Sequence, residues 1–223
     1  MRLYYYTPPE HAVENVHRRR IKVSFPDEVN DVFEMSPFDF GEDGKHRKSW
    51  KQSIRDQAKK SGFISFSTNW QSPTMWAHYA RNNTGVCYGF DLDPSKLTRV
   101  GYVEHFRKLT AAEQIDLGDD KTLIDYAMAT KSVHWAYEEE WRMWVDLSGE
   151  EIYAKSTGKS LFFLPFSETL KLKEIIIGSE SKLSSAEFRS ALGDASTHCL
   201  IHTGRPSFRG FKIVKQMRKD LQK

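Results

Sequence analysis

Three consecutive glutamates followed by tryptophan and arginine, Glu138-Glu139-Glu140-Trp141-Arg142, form the densest group of chemically capable side chains in the sequence. If Glu138 to Asp146 is an extended strand, its side chains alternate between two faces. Glu139, Trp141, Met143 and Val145 then share one side, and Glu138, Glu140, Arg142 and Trp144 the other. The second side gathers two carboxylates and a guanidinium. Carboxylates two residues apart can serve as acid, base or acceptor for a ribose hydroxyl. The plainer reading is that Arg142 pairs with one of them on a solvated face. Trp135, Tyr137, Trp141 and Trp144 argue against full solvation, and spacing alone leaves the two readings level.

Other candidates are weaker taken singly. Phe63 to Ser67 puts Ser65 and Ser67 on one side and Ile64 and Phe66 on the other. A face of small hydroxyls lets a ligand approach closely, although an ordinary half-exposed strand shows the same pattern. Ser72-Pro73 is a helix-start signal, and the helix after it pairs Met75 with Tyr79 and Trp76 with Ala80. His78 lies off that line and can bind a phosphate or titrate; capping or bridging within the fold is the commoner role. Asn30-Asp31 binds a ribose or shapes an Asx turn, the turn being the safer reading. No metal site is expected. There is no His-Glu-x-x-His, and His198, Cys199 and His202 lie in a β-prone stretch with no acidic ligand pattern. No nucleophile triad and no glycine-rich phosphate fingerprint is present.

The elements that would position these residues are short. Strands are predicted over Arg2–Tyr6, Ile21–Phe25, Phe63–Phe66, Gly85–Asp91, Val100–Phe106, Leu161–Phe166, Leu172–Ile177 and Phe211–Val214. Helices are predicted over Glu10–Arg18, Lys45–Lys60 with a Trp50, Ile54, Ala58 stripe, and Lys121–Ser132. Ser184 to Glu187 forms a capping box for a last helix ending at Gly193. Without a regular βαβ repeat, the pattern reads as α+β: a single domain over 1–223 with a central mixed or antiparallel sheet flanked by helices.

The chain has 223 residues, 13% of them aromatic, enough for a proper core and inconsistent with intrinsic disorder. Cys87 and Cys199 are too few for a disulfide framework, so a reducing compartment is expected. No apolar run approaches a membrane span and the N-terminus lacks a signal-peptide core. A cytoplasmic protein without a membrane partner is the expectation. The net charge of +3 is unevenly spread. Residues 27–43 carry seven acids and no Lys or Arg, 45–60 are basic through Lys45, Arg47, Lys48 and Lys51 onward, and 205–223 hold seven Lys/Arg against Asp220. Such segments can track a phosphate backbone, though solvated helix and tail surface is the favoured reading, because a modest net charge does not by itself hold nucleic acid tightly.

Several segments in order resemble the bacterial domain-of-unknown-function family 2971. They are Leu3-Tyr4-Tyr5-Tyr6-Thr7, Ile21-Lys22-Val23-Ser24 leading to Asn30-Asp31-Val32-Phe33-Glu34, Phe63-Ile64-Ser65-Phe66-Ser67 before Met75-Trp76-Ala77-His78-Tyr79-Ala80, Gly85 to Asp91, Lys131 leading into Trp135-Ala136-Tyr137-Glu138-Glu139-Glu140-Trp141-Arg142, and Glu174 to Gly178. The likeness covers about 3–178, and its Met-Trp-x-His-Tyr-Ala and Trp-x-Tyr-Glu-x-Glu-Trp-Arg stretches are the specific ones.

The order of an aromatic first strand, Ser65-Phe66-Ser67-Thr68 and a late Glu-x-Glu is in addition similar to ADP-ribosyltransferases. Tyr5, Tyr6 and Thr7 stand where that superfamily has Arg or His. That resemblance implies NAD as cofactor and a transferase of a defence or toxin-type system. Glu140 would hold the ribose and stabilise positive charge, Glu138 would orient or deprotonate the acceptor with Arg142 beside them, and Tyr5 or Tyr6 would stack on the base. Ser65, Ser67, His78, Tyr79 and Asn30 would complete the nucleotide site. The competing expectation is a non-catalytic nucleic-acid or protein-binding module using Lys45, Arg47, Lys48 and Lys51. A metal-free nuclease or phosphoesterase built on His78 and Glu138 ranks below both.

Overall fold

Alternation of large apolar and polar side chains dictates a sheet with two differently covered faces, and the computed structural model bears this out. It describes residues 1–26, 28–42, 44–115, 117, 120–149, 152–154 and 160–223, so Asp27 and Asp43 of the acidic run lie outside the described residues. The chain begins β1 (Arg2–Thr7), α1 (Pro9–His17), β2 (Arg20–Lys22), β3 (Phe38–Asp39), α2 (Gly44–Ala58) and β4 (Ser61–Ser67). It continues α3 (Pro73–Tyr79), β5 (Val86–Leu92), β6 (Leu97–Arg99), β7 (Gly101–Val103), β8 (Arg107–Lys108), α4 (Ala111–Ile115), α5 (Lys121–Met128) and β9 (Thr130–Ser132). It ends β10 (Glu140–Asp146), β11 (Ile152–Ala154), β12 (Ser160–Pro165), β13 (Leu170–Ile177), α6 (Ser185–Leu192), β14 (Leu200–Pro206) and β15 (Ile213–Lys215).

Eight strands make the main sheet in the order β15-β14-β13-β5-β1-β4-β10-β6. Only β13 and β14 run parallel; the other neighbours are antiparallel. The fold is thus α+β with a mixed, largely antiparallel sheet. Cross-strand partners share a face. Leu3 with Phe90, Tyr5 with Tyr88, and Met143 with Ile64 define one side, packed against Ala12 and Val16 of α1 and Phe188 of α6. The opposite side carries two separate apolar clusters. Trp50 and Ile54 of α2 and Leu123 and Ala127 of α5 cover Phe63, while Met75 and Trp76 of α3 cover Tyr6, Cys87 and Ile176. Trp76, Tyr88 and Phe90 are fully buried; Trp141 is half-buried.

Several predicted elements change, the strand expected over Ile21–Phe25 being confined to Arg20–Lys22. The helix from Lys121 stops at Met128, and Thr130–Ser132 turns extended to pair with Gly101–Val103, the part of Val100–Phe106 that is a strand. The strand predicted from Glu138 begins at Glu140, because Val133–Glu138 is a 3-10 turn and Glu139 has φ 46°. The last strand is Ile213–Lys215, leaving Phe211 outside it.

The end of α3 is set by three successive left-handed residues, Arg81, Asn82 and Asn83, at φ 44°, 52° and 65°. Asparagine tolerates this region better than most side chains, and glycine better still. Behind the turn, a Cβ on Gly85 would sit 2.2 Å from the Thr7 carbonyl oxygen, so β1 and the turn meet only because Gly85 lacks one. Asn82→Gly should therefore leave thermal stability unchanged or raised, whereas the β-branched Asn82→Val should lower it by about 1–2 kcal/mol; equal melting temperatures for the two variants would contradict this strain.

Candidate functional site

The main sheet is parted in its middle. β1 pairs with β5 from Arg2 to Thr7, and β4 pairs with β10 from Ser61 to Ser67, yet β1 and β4 share only Tyr4 opposite Ser67. The other end of β4 turns to Ser24, which exchanges backbone hydrogen bonds with Phe63 at 2.8 and 3.0 Å. A cavity of about 710 Å³ lies at this parting, lined by Tyr4, Tyr5 and Tyr6 from one lip and Ser65, Phe66 and Ser67 from the other. It falls between the two apolar clusters on the α2–α3 side.

Four buried charges, Glu34, Lys131, Glu138 and Glu140, form its inner wall, with a fifth, Arg142, behind them. The Arg142 guanidinium donates to both oxygens of Glu140, at 2.8 and 3.1 Å, and lies 2.8 Å from Glu34. It also donates to the Met128 carbonyl at 3.1 Å. Lys131 Nζ is 2.6 Å from Glu138, 3.4 Å from Glu140 and 3.8 Å from Glu34. Ser65 donates to Glu140 at 2.6 Å, and the Tyr79 hydroxyl donates to Glu138. Three carboxylates face two cations, a formal excess of one negative charge when all are ionised.

These contacts push the two glutamates in opposite directions. Burial alone would raise Glu140, but Arg142, Lys131 and Ser65 outweigh it and hold the carboxyl down to about 2. Burial dominates at Glu138 and raises it despite Lys131 and Tyr79. Glu34 is raised for the same reason, against Arg142 and Lys131. Burial opposes the charge on Lys131, yet Glu140, Glu138 and Glu34 keep its pKa above the usual value. The Tyr79 hydroxyl is raised by burial and by the adjacent Glu138. Acceptor capacity differs too. Each Glu140 oxygen already accepts from two donors, while each Glu138 oxygen accepts from one, so Glu138 retains a lone pair on each oxygen.

Glu138, Glu140, Ser65, Ser67, His78, Tyr79 and Asn30 line one cavity. Arg142 does not line it. The guanidinium is fully buried behind Glu140, where its donors are used. His78 packs beside the ring of Tyr137, centroids 6.1 Å apart. Tyr5 lies on the opposite face of β1 from Tyr4 and Tyr6, clamped by Phe66 and Tyr88. Tyr6 is edge-on to Trp76 and donates to the Asn69 carbonyl at 2.7 Å. Both rings are thus engaged by neighbouring aromatic side chains, whereas Tyr4, half-buried like Tyr5, has no such ring contact among the described residues. The Asx turn belongs to Asp31, which accepts from Phe33 N–H at 2.9 Å. Lys45, Arg47, Lys48 and Lys51 are exposed along α2 and do not line the cavity.

Sequence reasoning missed Lys131 and Glu34 as site residues. Their signals were slight: Lys131 stands just before the turn that carries Trp135 and Tyr137, and Glu34 closes the Asn-Asp-Val-Phe-Glu segment. No family model, no curated protein and no solved structure matches this chain.

Removing Arg142 leaves Glu140 and Glu34 buried without their main partner, so Arg142→Met should destabilise the fold by about 3–5 kcal/mol in denaturant titration. Acid should act in the same sense on the intact protein. The depressed pKa of Glu140 contributes stability that is present above its ordinary value of 4.5 and is lost as pH falls toward 2. An Arg142→Met protein as stable as the parent would show that the pair adds nothing.

Proposed function

We propose that the cavity binds NAD and that the protein transfers or hydrolyses its ADP-ribosyl group. The observation that carries this reading is the pair of glutamates, facing one cavity across from Ser65 and Ser67, with their pKa values driven apart. Divergent pKa values in neighbouring carboxylates separate a proton-handling group from a fixed charge. A cavity of about 710 Å³ is within the usual range for a ligand of this size.

In this reading the bond between ribose C1′ and the nicotinamide nitrogen breaks, and nicotinamide leaves neutral with the bonding pair. The ribose becomes oxocarbenium-like, and the ionised Glu140, held by Arg142, stabilises that developing charge without reorganising. Glu138 has the spare lone pairs to accept a ribose hydroxyl or the acceptor's proton as the new bond to C1′ forms. His78, Arg81 and Asn82 line the end of the cavity suited to the diphosphate. Tyr4, on the same face as Ser67, is the ring placed to stack on a base. The order of the aromatic first strand, Ser65-Phe66-Ser67-Thr68 and the late Glu-x-Glu, similar to ADP-ribosyltransferases, is what suggests NAD as the nucleotide.

The test is incubation with labelled NAD, alone and with RNA, DNA or lysate. Nicotinamide release or label transfer is expected. Glu138→Gln should cut turnover about 10²–10³-fold while an NAD-induced thermal shift persists. With Glu138 as base, activity should fall as pH drops through its raised pKa, and Lys131→Met, by removing the cation that opposes that rise, should move the limb to higher pH. No release, no transfer and no thermal shift would discard the proposal.

A second reading, a nucleic-acid-binding module, is favoured by the exposure of Lys45, Arg47, Lys48 and Lys51 on one helix. Replacing all four with alanine should flatten the salt dependence of any nucleic-acid retention.

A further inference from the structure

β14 and β15 are joined by a loop, 207–212, of sequence Ser-Phe-Arg-Gly-Phe-Lys. Its base is closed: Ser207 N–H donates to the Lys212 carbonyl at 2.9 Å, and Arg209 N–H donates to Ser207 Oγ at 3.1 Å. At the tip, Phe208 is 91% and Phe211 103% exposed, the two most exposed large hydrophobic side chains described. The Arg205 guanidinium lies 4.8 Å from the Phe208 ring centroid. From Ala195 to Lys219 the sequence contains no Asp or Glu, while Arg205, Arg209, Lys212 and Lys215 flank the two phenylalanines along the chain. Two exposed aromatic rings on one closed loop with basic side chains in the same segment suit an anionic partner with flat apolar faces.

The loop is also tied to the cavity. β15 is hydrogen-bonded to Gln71, with Ile213 N–H on the Gln71 carbonyl at 2.8 Å and Gln71 Nε2 on the Ile213 carbonyl at 3.1 Å. The same segment reaches back through Thr68 and Asn69 to the carboxylate of Glu139, between the two site glutamates.

We propose that the 207–212 loop is a docking site for single-stranded nucleic acid, whose unpaired bases stack on Phe208 and Phe211 while phosphates run along Arg205, Arg209, Lys212 and Lys215. Phenylalanine offers no donor or acceptor to a base edge, so the site stacks on base faces without reading sequence, and a duplex hides those faces. An anionic lipid surface is the other source of negative charge. It fits less well, because Arg209 stands between the two phenylalanines and would be carried into the apolar layer with them. Arginine and aromatic rings side by side suit stacked bases and phosphates. That the docked strand is the ADP-ribosyl acceptor rests on the proposed function above; the docking itself does not.

The experiment measures fluorescence anisotropy of a short, labelled, mixed-sequence DNA strand with the full chain at low salt, with its duplex and with phosphatidylglycerol vesicles in parallel. Both phenylalanines are solvent-exposed, so their replacement leaves the core intact. The single strand should bind more tightly than the duplex. Phe208→Ala/Phe211→Ala should weaken it about ten- to hundredfold with the salt slope kept, whereas Arg205→Ala/Arg209→Ala/Lys212→Ala should flatten that slope. Absence of single-strand binding, preference for duplex, unchanged affinity of the double phenylalanine variant, or phenylalanine-dependent capture of vesicles but not DNA would each overturn the docking site. An NAD thermal shift on the same samples reads the cavity separately, so loss of one signal leaves the other assignment standing.

Discussion

Arg142 holds a positive charge with none of its surface in water, and a guanidinium in that position has to be neutralised and fully hydrogen-bonded. Glu140 supplies a fork that meets it at both oxygens, Glu34 a second carboxylate and Met128 a carbonyl. Two carboxylates around one cation leave an excess of negative charge, which draws Lys131 in from β9. Lys131 in turn fixes Glu138. Each residue of the inner wall is therefore placed by the need to compensate the one behind it, and the chain of compensation ends at the cavity, on the carboxylate with unused acceptor capacity.

This arrangement depends on the sheet being parted. Were β1 and β4 paired along their length, the gap between Tyr4–Tyr6 and Ser65–Ser67 that opens the cavity would be closed. The single partnership of Tyr4 with Ser67 holds the lips together at one end, and the Ser24–Phe63 bridge holds β4 at the other. Two apolar clusters, under α2 and under α3, stabilise the sheet on either side of the gap. The polar seam between them adds desolvation cost, which the ion pairs offset only while their geometry is intact.

Sequence periodicity reached the parts of this site that sit on strands. Glu140 and Arg142 share a face with Ser65 and Ser67 because residues two apart on a strand do so, and that much was legible. What periodicity could not supply were contributions from turns. Glu138 leaves the strand because Glu139 is left-handed, and Lys131 is on a strand of three residues that reads as the end of a helix. Glu34 reaches Arg142 across more than a hundred residues of chain, a pairing that no local pattern encodes. Arg142 was placed in the cleft rather than behind it because sequence shows a charge but not how many of its donors are consumed. Tyr5 and Tyr6, adjacent on β1, face opposite sides of the sheet, as neighbouring strand residues must.

Glu139 joins these levels. Its backbone N–H donates to the Ala136 carbonyl at 3.2 Å, its carbonyl accepts from Thr68 N–H at 3.3 Å, and Thr68 and Asn69 bind its carboxylate. A residue in the left-handed region costs energy for a side chain of this size, and these bonds make that conformation the one that satisfies its polar groups. By turning the chain there, Glu139 directs Glu138 toward Lys131 and Tyr79 while Glu140 stays in register opposite Ser67. The Thr68–Gln71 segment that holds Glu139 also carries the Tyr6 hydroxyl on Asn69 and the start of β15 on Gln71. The carboxylates of the cavity and the base of the aromatic loop thus share one hydrogen-bonded frame, and the distance between them is set by short, saturated contacts rather than by a free linker.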